Sequence, residues 1–195
     1  MRKIVLTGGP GVGKSPIIHC LQEMGYSVRE EVFTKIFAQA QNAGKFDDAF
    51  LYSKKLIQEL ISAQIELENR EEANENLFLD RSCIDIWGFA RNMGITLDPE
   101  ERKSLESRRY DLVFIVEPMP REFYDQNAIR RQSYEESLVH HQANLENAIE
   151  YLKLQGEFSK NSLVHVPFSL DDRFLSVKER TQFVLDQVRT HGMVL

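Results

Sequence analysis

Short apolar runs alternate with longer amphipathic stretches along the chain. Residues 3–7 form a near-continuous apolar run of strand length, as a strand buried on both faces should. Residues 16–24 place Ile17, Ile18, Leu21 and Met24 on one helix face, and Gly25 supplies the stop. A weaker strand pattern covers 26–30. From Phe50 to about residue 75, Phe50, Ile57, Leu60, Ile61 and Ile65 keep a three-to-four spacing that predicts one long helix. An apolar strand at 77–79 ends at Asp80, and a helix over 84–93 carries Ile84, Trp87, Phe89 and Ala90. Leu112–Val116 is the plainest strand, closed by Glu117-Pro118. Tyr134–Leu154 reads as a strong helix on Tyr134, Leu138, His141, Leu145, Ala148 and Leu152. Residues 162–166 predict a fifth strand and 177–188 a last helix.

Five strands separated by helical stretches argue for βαβ units. The expected fold class is α/β, a five-stranded parallel sheet with helices on both faces. The length of 195 residues fits one domain spanning 1–195. Its polar stretch at 119–132, rich in charge, Pro and Asn, is a candidate lid loop. A formal net charge of -6 argues against nucleic-acid coating, which needs a basic surface, yet leaves room for a local basic pocket. Cys20 and Cys83 are too few for a disulfide framework and have no ligand spacing. With no apolar run of about 18 residues and no leader-like start, the expectation is a cytoplasmic protein without membrane contact.

The chemistry is concentrated in Gly8-Gly9-Pro10-Gly11-Val12-Gly13-Lys14-Ser15, which fits G-x-x-x-x-G-K-[ST], the P-loop. Glycines let successive N–H groups point inward at phosphate oxygens. Lys14 reaches the β- and γ-phosphates and the Ser15 hydroxyl ligates Mg²⁺. The loop follows an apolar strand and opens a helix whose positive end faces the same anion. ATP and Mg²⁺ are therefore the expected cofactors. Pro16 sits where an N–H commonly meets the α-phosphate, and proline has none. Its ring also disfavours α geometry at Ser15. Weaker nucleotide binding is the expected consequence.

Asp80, at the carboxyl end of a buried strand, can hold Mg²⁺ or its waters; the alternative is a cap for the next helix, a task open to Asp80 or Ser82. Glu30 and Glu31 end the second strand, and Glu31 is the stronger candidate to accept a substrate hydroxyl's proton. Arg121, Arg130 and Arg131 lie in the polar stretch, where lid arginines would neutralise a transferring phosphoryl group; surface charge is the alternative. Arg108-Arg109 is explained by the helix end before the fourth strand. His140 and His141 are adjacent and so do not share a helix face, which argues against a metal pair and for a core or half-buried His141. Trp87 reads as core.

The P-loop resembles those of nucleoside and nucleotide kinases. Gly25-Tyr26 through Glu31, Phe78-Leu79-Asp80-Arg81, Tyr110-Asp111-Leu112-Val113-Phe114 and Arg130-Arg131-Gln132 resemble more closely the small AAA-type predicted ATPase/kinase family. That family is similar to the ribosylnicotinamide kinase domain of NadR proteins. The resemblance runs from about residue 4 to 188. It implies a nucleoside-monophosphate-kinase-like core. It implies an ATP–Mg²⁺ site at Gly8, Gly13, Lys14 and Ser15, with Asp80 on the metal side. Glu31 falls on the substrate side, and Arg130 and Arg131 in the lid. Two departures stand out: Pro16 in place of Ser or Thr, and Thr34 where such proteins often carry Arg. The function expected is transfer of the γ-phosphoryl group of Mg-ATP to a small hydroxyl acceptor, nucleoside-like or another metabolite. The alternatives are an ATPase or nucleotide-dependent switch acting on a protein partner, and a module that binds nucleotide without turning it over.

Overall fold

A computed structural model describes residues 1–70, 75–125, 133–156 and 162–193. Five strands, β1 (Arg2–Thr7), β2 (Ser27–Arg29), β3 (Asn76–Asp80), β4 (Leu112–Val116) and β5 (Leu163–Val166), form one sheet. Their order is β2-β3-β1-β4-β5, and every pairing is parallel. The register places Leu6 beside Asp80 and Phe114, so the loops that carry the chemistry emerge together at the carboxyl edge. In open α/β sheets that edge is where ligands bind.

Helices cover both faces. The helix α1 (Lys14–Glu23) follows β1, and α9 (Val177–Thr190) packs beside it. The opposite face carries α4 (Lys54–Asn69), α5 (Cys83–Asn92) and α8 (Tyr134–Leu154). Because successive strand residues point to opposite faces, the sheet splits its apolar residues between two cores. Ile4, Leu6, Phe78, Leu112 and Phe114 meet Ile17, Leu21, Val184 and Leu185 on one side. Val5, Leu77, Leu79 and Val113 meet Leu56, Leu60, Ile84, Trp87 and Tyr151 on the other. Full burial of one such side chain contributes about 1.5–3 kcal/mol, so both helix layers are anchored by β1, β3 and β4.

Several elements differ from the sequence reading. The stretch expected as one helix from Phe50 is broken: α3 (Asp48–Leu51) ends before α4, whose cap Ser53 accepts from the Leu56 N–H at 3.1 Å. Residues 71–74 lie outside the described residues. Two helices carried no clear signal, α2 (Val32–Asn42) and α6 (Pro99–Glu106). A short antiparallel hairpin, β6 (Ser169–Leu170) with β7 (Arg173–Phe174), follows β5. The candidate lid contains α7 (Arg121–Tyr124); its remainder at 126–132 lies outside the described residues. Gly25 ends α1 as expected, at φ 88° and donating to Gln22 O at 3.0 Å.

Below the sheet a polar cluster is buried and paired. Glu68 accepts from Lys3 Nζ at 3.2 Å, Gln64 Nε2 at 2.9 Å and Tyr110 Oη at 3.0 Å. Burial pushes the Cys83 thiol and the Tyr110 hydroxyl up, so both stay protonated.

Candidate active site

The loop between β1 and α1 turns through Gly8 (φ 133°), Gly11 (φ 74°) and Gly13 (φ 94°), conformations that favour glycine. At Gly8 a Cβ would come within 2.8 Å of Val116 O, and at Gly9 within 2.8 Å of Ser137 O. The loop is therefore pressed against β4 and α8, and small residues are needed for packing as well as for the turn. Three groups on α8 fasten it. Ser137 Oγ donates to Pro10 O at 2.7 Å, Asn144 Nδ2 to Gly8 O at 3.0 Å, and His141 Nδ1 accepts from the Gly9 N–H at 3.4 Å. His141 is thus a brace of the loop rather than a plain core residue; burial lowers its pKa.

Gly13 caps α1 without a side-chain hydrogen bond, so the first-turn N–H groups are available to a ligand. Pro16 is the third residue of α1, where no intrahelical bond is lost. Ser15 lies inside the helix, contrary to the expected push away from α geometry. The burial of Ile17 and Ile18 and the Ser15 contact with Asp80 outweigh that preference.

Lys14 Nζ donates to Gly8 O at 3.1 Å and Gly9 O at 2.8 Å. Burial, and then the Arg81 charge, lower its pKa to about 8 against the pull of Asp80, Glu31 and Asp85. Ser15 Oγ donates to Asp80 Oδ2 at 2.9 Å. Asp80 Oδ1 is buried and has no hydrogen-bond partner among the described residues. Burial raises the Asp80 pKa, although Lys14 opposes it. A hydroxyl and a carboxylate in contact, one oxygen unused, suit a hard cation, and Ser15 and Asp80 fit Mg²⁺ or its waters. The cap alternative for Asp80 fails, because Ser82 caps α5 in a box with Asp85. Among the described residues no group of three or more His, Cys, Asp or Glu side chains forms a separate metal site.

Arg81 is the residue that strand-end reasoning passed over. It sits at φ 67°, donating its N–H to Leu6 O at 3.0 Å. Its Nε donates to Glu31 Oε2 at 2.6 Å, and its Nη1 to Asp85 Oδ1 at 3.1 Å and Gly8 O at 3.3 Å. Asp85 also accepts from Thr7 Oγ1 at 2.6 Å and from the Ser82 N–H at 2.9 Å. Glu31 precedes α2 and accepts a hydrogen bond from Thr34. Burial would raise its pKa, but Arg81, Thr34 and Lys14 together hold it below the ordinary carboxylate value. Glu30 instead faces His19 at 3.7 Å on the surface. A sequence signal for Arg81 existed, Asp-Arg at a strand end, whereas Asp85, Asn144 and Ser137 gave none because their roles depend on α5 and α8 meeting the loop.

Beside these residues opens a cavity of about 370 Å³. Its lining runs from Pro10 on the loop through Glu31, Arg81 and Asp85 to an aromatic wall of Phe33, Phe37 and Phe89. Thr34, Asn92, His140 and Asn144 add polar groups. Lys14, Ser15, Asp80 and Glu31 are therefore gathered at one edge. Arg130 and Arg131 lie outside the described residues. Arg121 pairs with Glu135 and Asp125 on the surface, which is the surface-charge alternative. Arg108 and Arg109 bond to Asn69 and to helix-end carbonyls, and Trp87 packs in the core against Tyr151.

An AAA domain family model matches residues 3–160 of the chain. The protein belongs to the AAA domain family. Its fold is that of P-loop nucleoside and nucleotide kinases, which this AAA-domain chain matches in several solved structures. The NadR protein in complex with NR aligns at TM-score 0.73 and 21% identity, over 100% of this chain and 52% of that one. The AAA-domain chain thus spans about half the length of NadR. Deoxyadenosine kinase from M. mycoides aligns at TM-score 0.58 and 18% identity, over 96% and 99% of the two chains. Thymidylate kinase from Ehrlichia chaffeensis aligns at 0.55 and 11%, over 95% and 97%. Among curated proteins no match was found. No helix among the described residues is long and apolar enough to cross a membrane.

Proposed function

We propose that the protein is a phosphotransferase that uses Mg-ATP to phosphorylate a hydroxyl of a small, nucleoside-like acceptor. The observation that carries this reading is the continuity of the 370 Å³ cavity with the phosphate loop, Pro10 at one end and the Glu31–Arg81 pair along its floor. A nucleotidase or switch needs no such chamber beside its phosphates. The structural neighbours named above are a NadR protein in complex with NR, a deoxyadenosine kinase and a thymidylate kinase, which supports a ring-bearing acceptor.

The roles follow from position. The N–H groups around Gly11, Gly13 and Lys14 cradle the phosphates, and the Lys14 ammonium neutralises charge on the outer ones. Ser15 and Asp80 would hold Mg²⁺, which would offset charge on the transferring group. Glu31, ionised at neutral pH, accepts a hydrogen bond from the acceptor hydroxyl and fixes its line of attack. As the acceptor oxygen bonds to phosphorus, the bond from phosphorus to ADP breaks and the hydroxyl proton passes to Glu31. A loose transition state asks little of that base, so a low carboxylate pKa is compatible with the role. Phe33, Phe37 and Phe89 provide ring faces for stacking, while Asn92, Thr34 and Asn144 provide donors and acceptors. Among the described lining residues Arg81 is opposed by two carboxylates, Glu31 and Asp85, which favours an acceptor that does not yet carry phosphate.

The test is ADP release from Mg-ATP, alone and with nucleosides, nucleoside monophosphates and other hydroxylated metabolites, with Lys14→Ala as the blank. Stimulation by a nucleoside-like acceptor is expected. Release that no acceptor stimulates, abolished in Lys14→Ala, would replace this reading with an ATPase or switch acting on a protein partner. Nucleotide binding with no release would leave a binding module, with Pro16 the first residue to revert.

A further inference from the structure

Arg180, on the first turn of α9, stands behind the phosphate loop. Its side chain is 3% exposed. The guanidinium donates from Nη1 to Val12 O at 3.0 Å, from Nη2 to Glu117 O at 3.1 Å and from Nε to Pro167 O at 3.1 Å. Three segments that leave the sheet edge, the loop after β1 and the ends of β4 and β5, are thereby tied to one group. Phe168 lies under it, 5.2 Å from ring centre to guanidinium carbon. A Cβ on Gly13 would come within 3.0 Å of Nη1, so glycine there lets the cation approach the loop's own turn.

What this cation lacks is a counter-ion in contact. Among the described residues no carboxylate lies within 4 Å of it, and Glu117, whose charge offsets part of its own from farther away, holds His165 at 2.7 Å. Carbonyls and an aromatic face satisfy its donors but do not cancel its charge. Its place on the first turn of α9 adds the unfavourable end of a helix dipole. Burial accordingly pulls its pKa down to about 10, the mark of a charge held at a cost. Such a cost is tolerated where an anion arrives to offset it.

We propose that Arg180 is a positioning residue for the nucleotide, a fixed cation behind the loop whose counter-ion is the bound polyphosphate. It does not touch the nucleotide; it acts across the Val12–Gly13 turn by adding positive potential there, so that its charge rather than its three-way fork is what the polyphosphate reads. This rests on the reading that the loop binds nucleotide.

The experiment compares dissociation constants of ATP and AMP for wild type, Arg180→Gln and Arg180→Lys, with thermal denaturation as the folding control. Both variants lose the three-way fork and keep a donor, but lysine alone keeps the charge. Arg180→Gln should weaken ATP about tenfold and AMP less than about threefold, while Arg180→Lys should stay within about threefold of wild type on ATP. Equal weakening by Gln and Lys, an equal loss on ATP and AMP, or an unchanged Gln variant would each overturn the proposal. If Arg180→Gln does not fold, Arg180→Lys decides alone: ATP binding near wild type supports it and a tenfold loss overturns it. Wild type that binds no ATP would instead remove the reading of the loop, and the role of Arg180 with it.

Discussion

Replacing Arg81 by methionine keeps the stem and removes the charge that Glu31 and Asp85 share. Removal of one partner from a buried ion pair costs about 3–5 kcal/mol, because the other charge is left stranded. Here both acids retain partial support. Asp85, 2% exposed, keeps Thr7 Oγ1 and the Ser82 N–H, and Glu31, 24% exposed, keeps Thr34 and can take up water. The expected loss at pH 7.5 is therefore nearer 2–4 kcal/mol, a fall in Tm of about 5–15 °C for a chain of this size. Both residues at position 81 must adopt positive φ, so the backbone term cancels.

The pH dependence gives the sharper check. In wild type Glu31 is held below its ordinary value of 4.5, so the stability it contributes is present above that value and is lost as pH falls through the folded pKa. In the variant burial works against less opposition and pushes the carboxyl up. Its charge then destabilises the fold at high pH and ceases to do so on protonation. The first effect sets in below about pH 4.5 and the second above it, so between pH 8 and 4.5 the variant's own relief on protonation shrinks the gap between the two proteins. Thermal denaturation of Arg81→Met and wild type from pH 8 to pH 4.5 reads this directly. A gap that stays constant or widens toward acid would refute the account of the Glu31–Arg81 pair.

Two further outcomes follow from the loop. Pro16→Thr restores an N–H in the first turn of α1; one neutral hydrogen bond of about 1 kcal/mol should tighten ATP binding about fivefold by calorimetry, and an unchanged dissociation constant would acquit the proline. With the Lys14 amine near pKa 8 in the free protein, phosphate binding at pH 8 should take up about half a proton and at pH 6 almost none. Binding heats that agree at pH 8 in buffers of different ionisation enthalpy would show that the amine is not depressed.

How much of this was legible in the sequence varies by element. Three of the five strands were legible as apolar runs because a strand covered on both faces has no solvent side to mark with polar residues. The short edge strand β2, whose residues are all half-buried, gave only a weak pattern. The break at Ser53 escaped the periodicity, since Phe50 continues the three-to-four spacing across a cap that only hydrogen-bond geometry reveals. The helix α6 was missed because Leu105 is its one buried residue and leaves no apolar stripe, although its Asp98–Glu101 capping box is written in the sequence.

The sequence by itself determined the α/β class and the P-loop, and it singled out Ser15 and Asp80, which the structure brings into contact. These are local properties, since a glycine turn, a following helix and an acid at a strand end are each set by a few consecutive residues. Only the tertiary structure decided what surrounds them. Arg81 binds Glu31 across 50 positions of sequence, Asn144 reaches Gly8 across 136, and Arg180 reaches Val12 across 168. Such contacts leave no periodic trace, because they depend on which helix the parallel crossovers lay against the carboxyl edge of the sheet. The loop can be read from its letters, but its brace, its counter-charges and its adjoining chamber exist only once β1, β3 and β4 stand side by side.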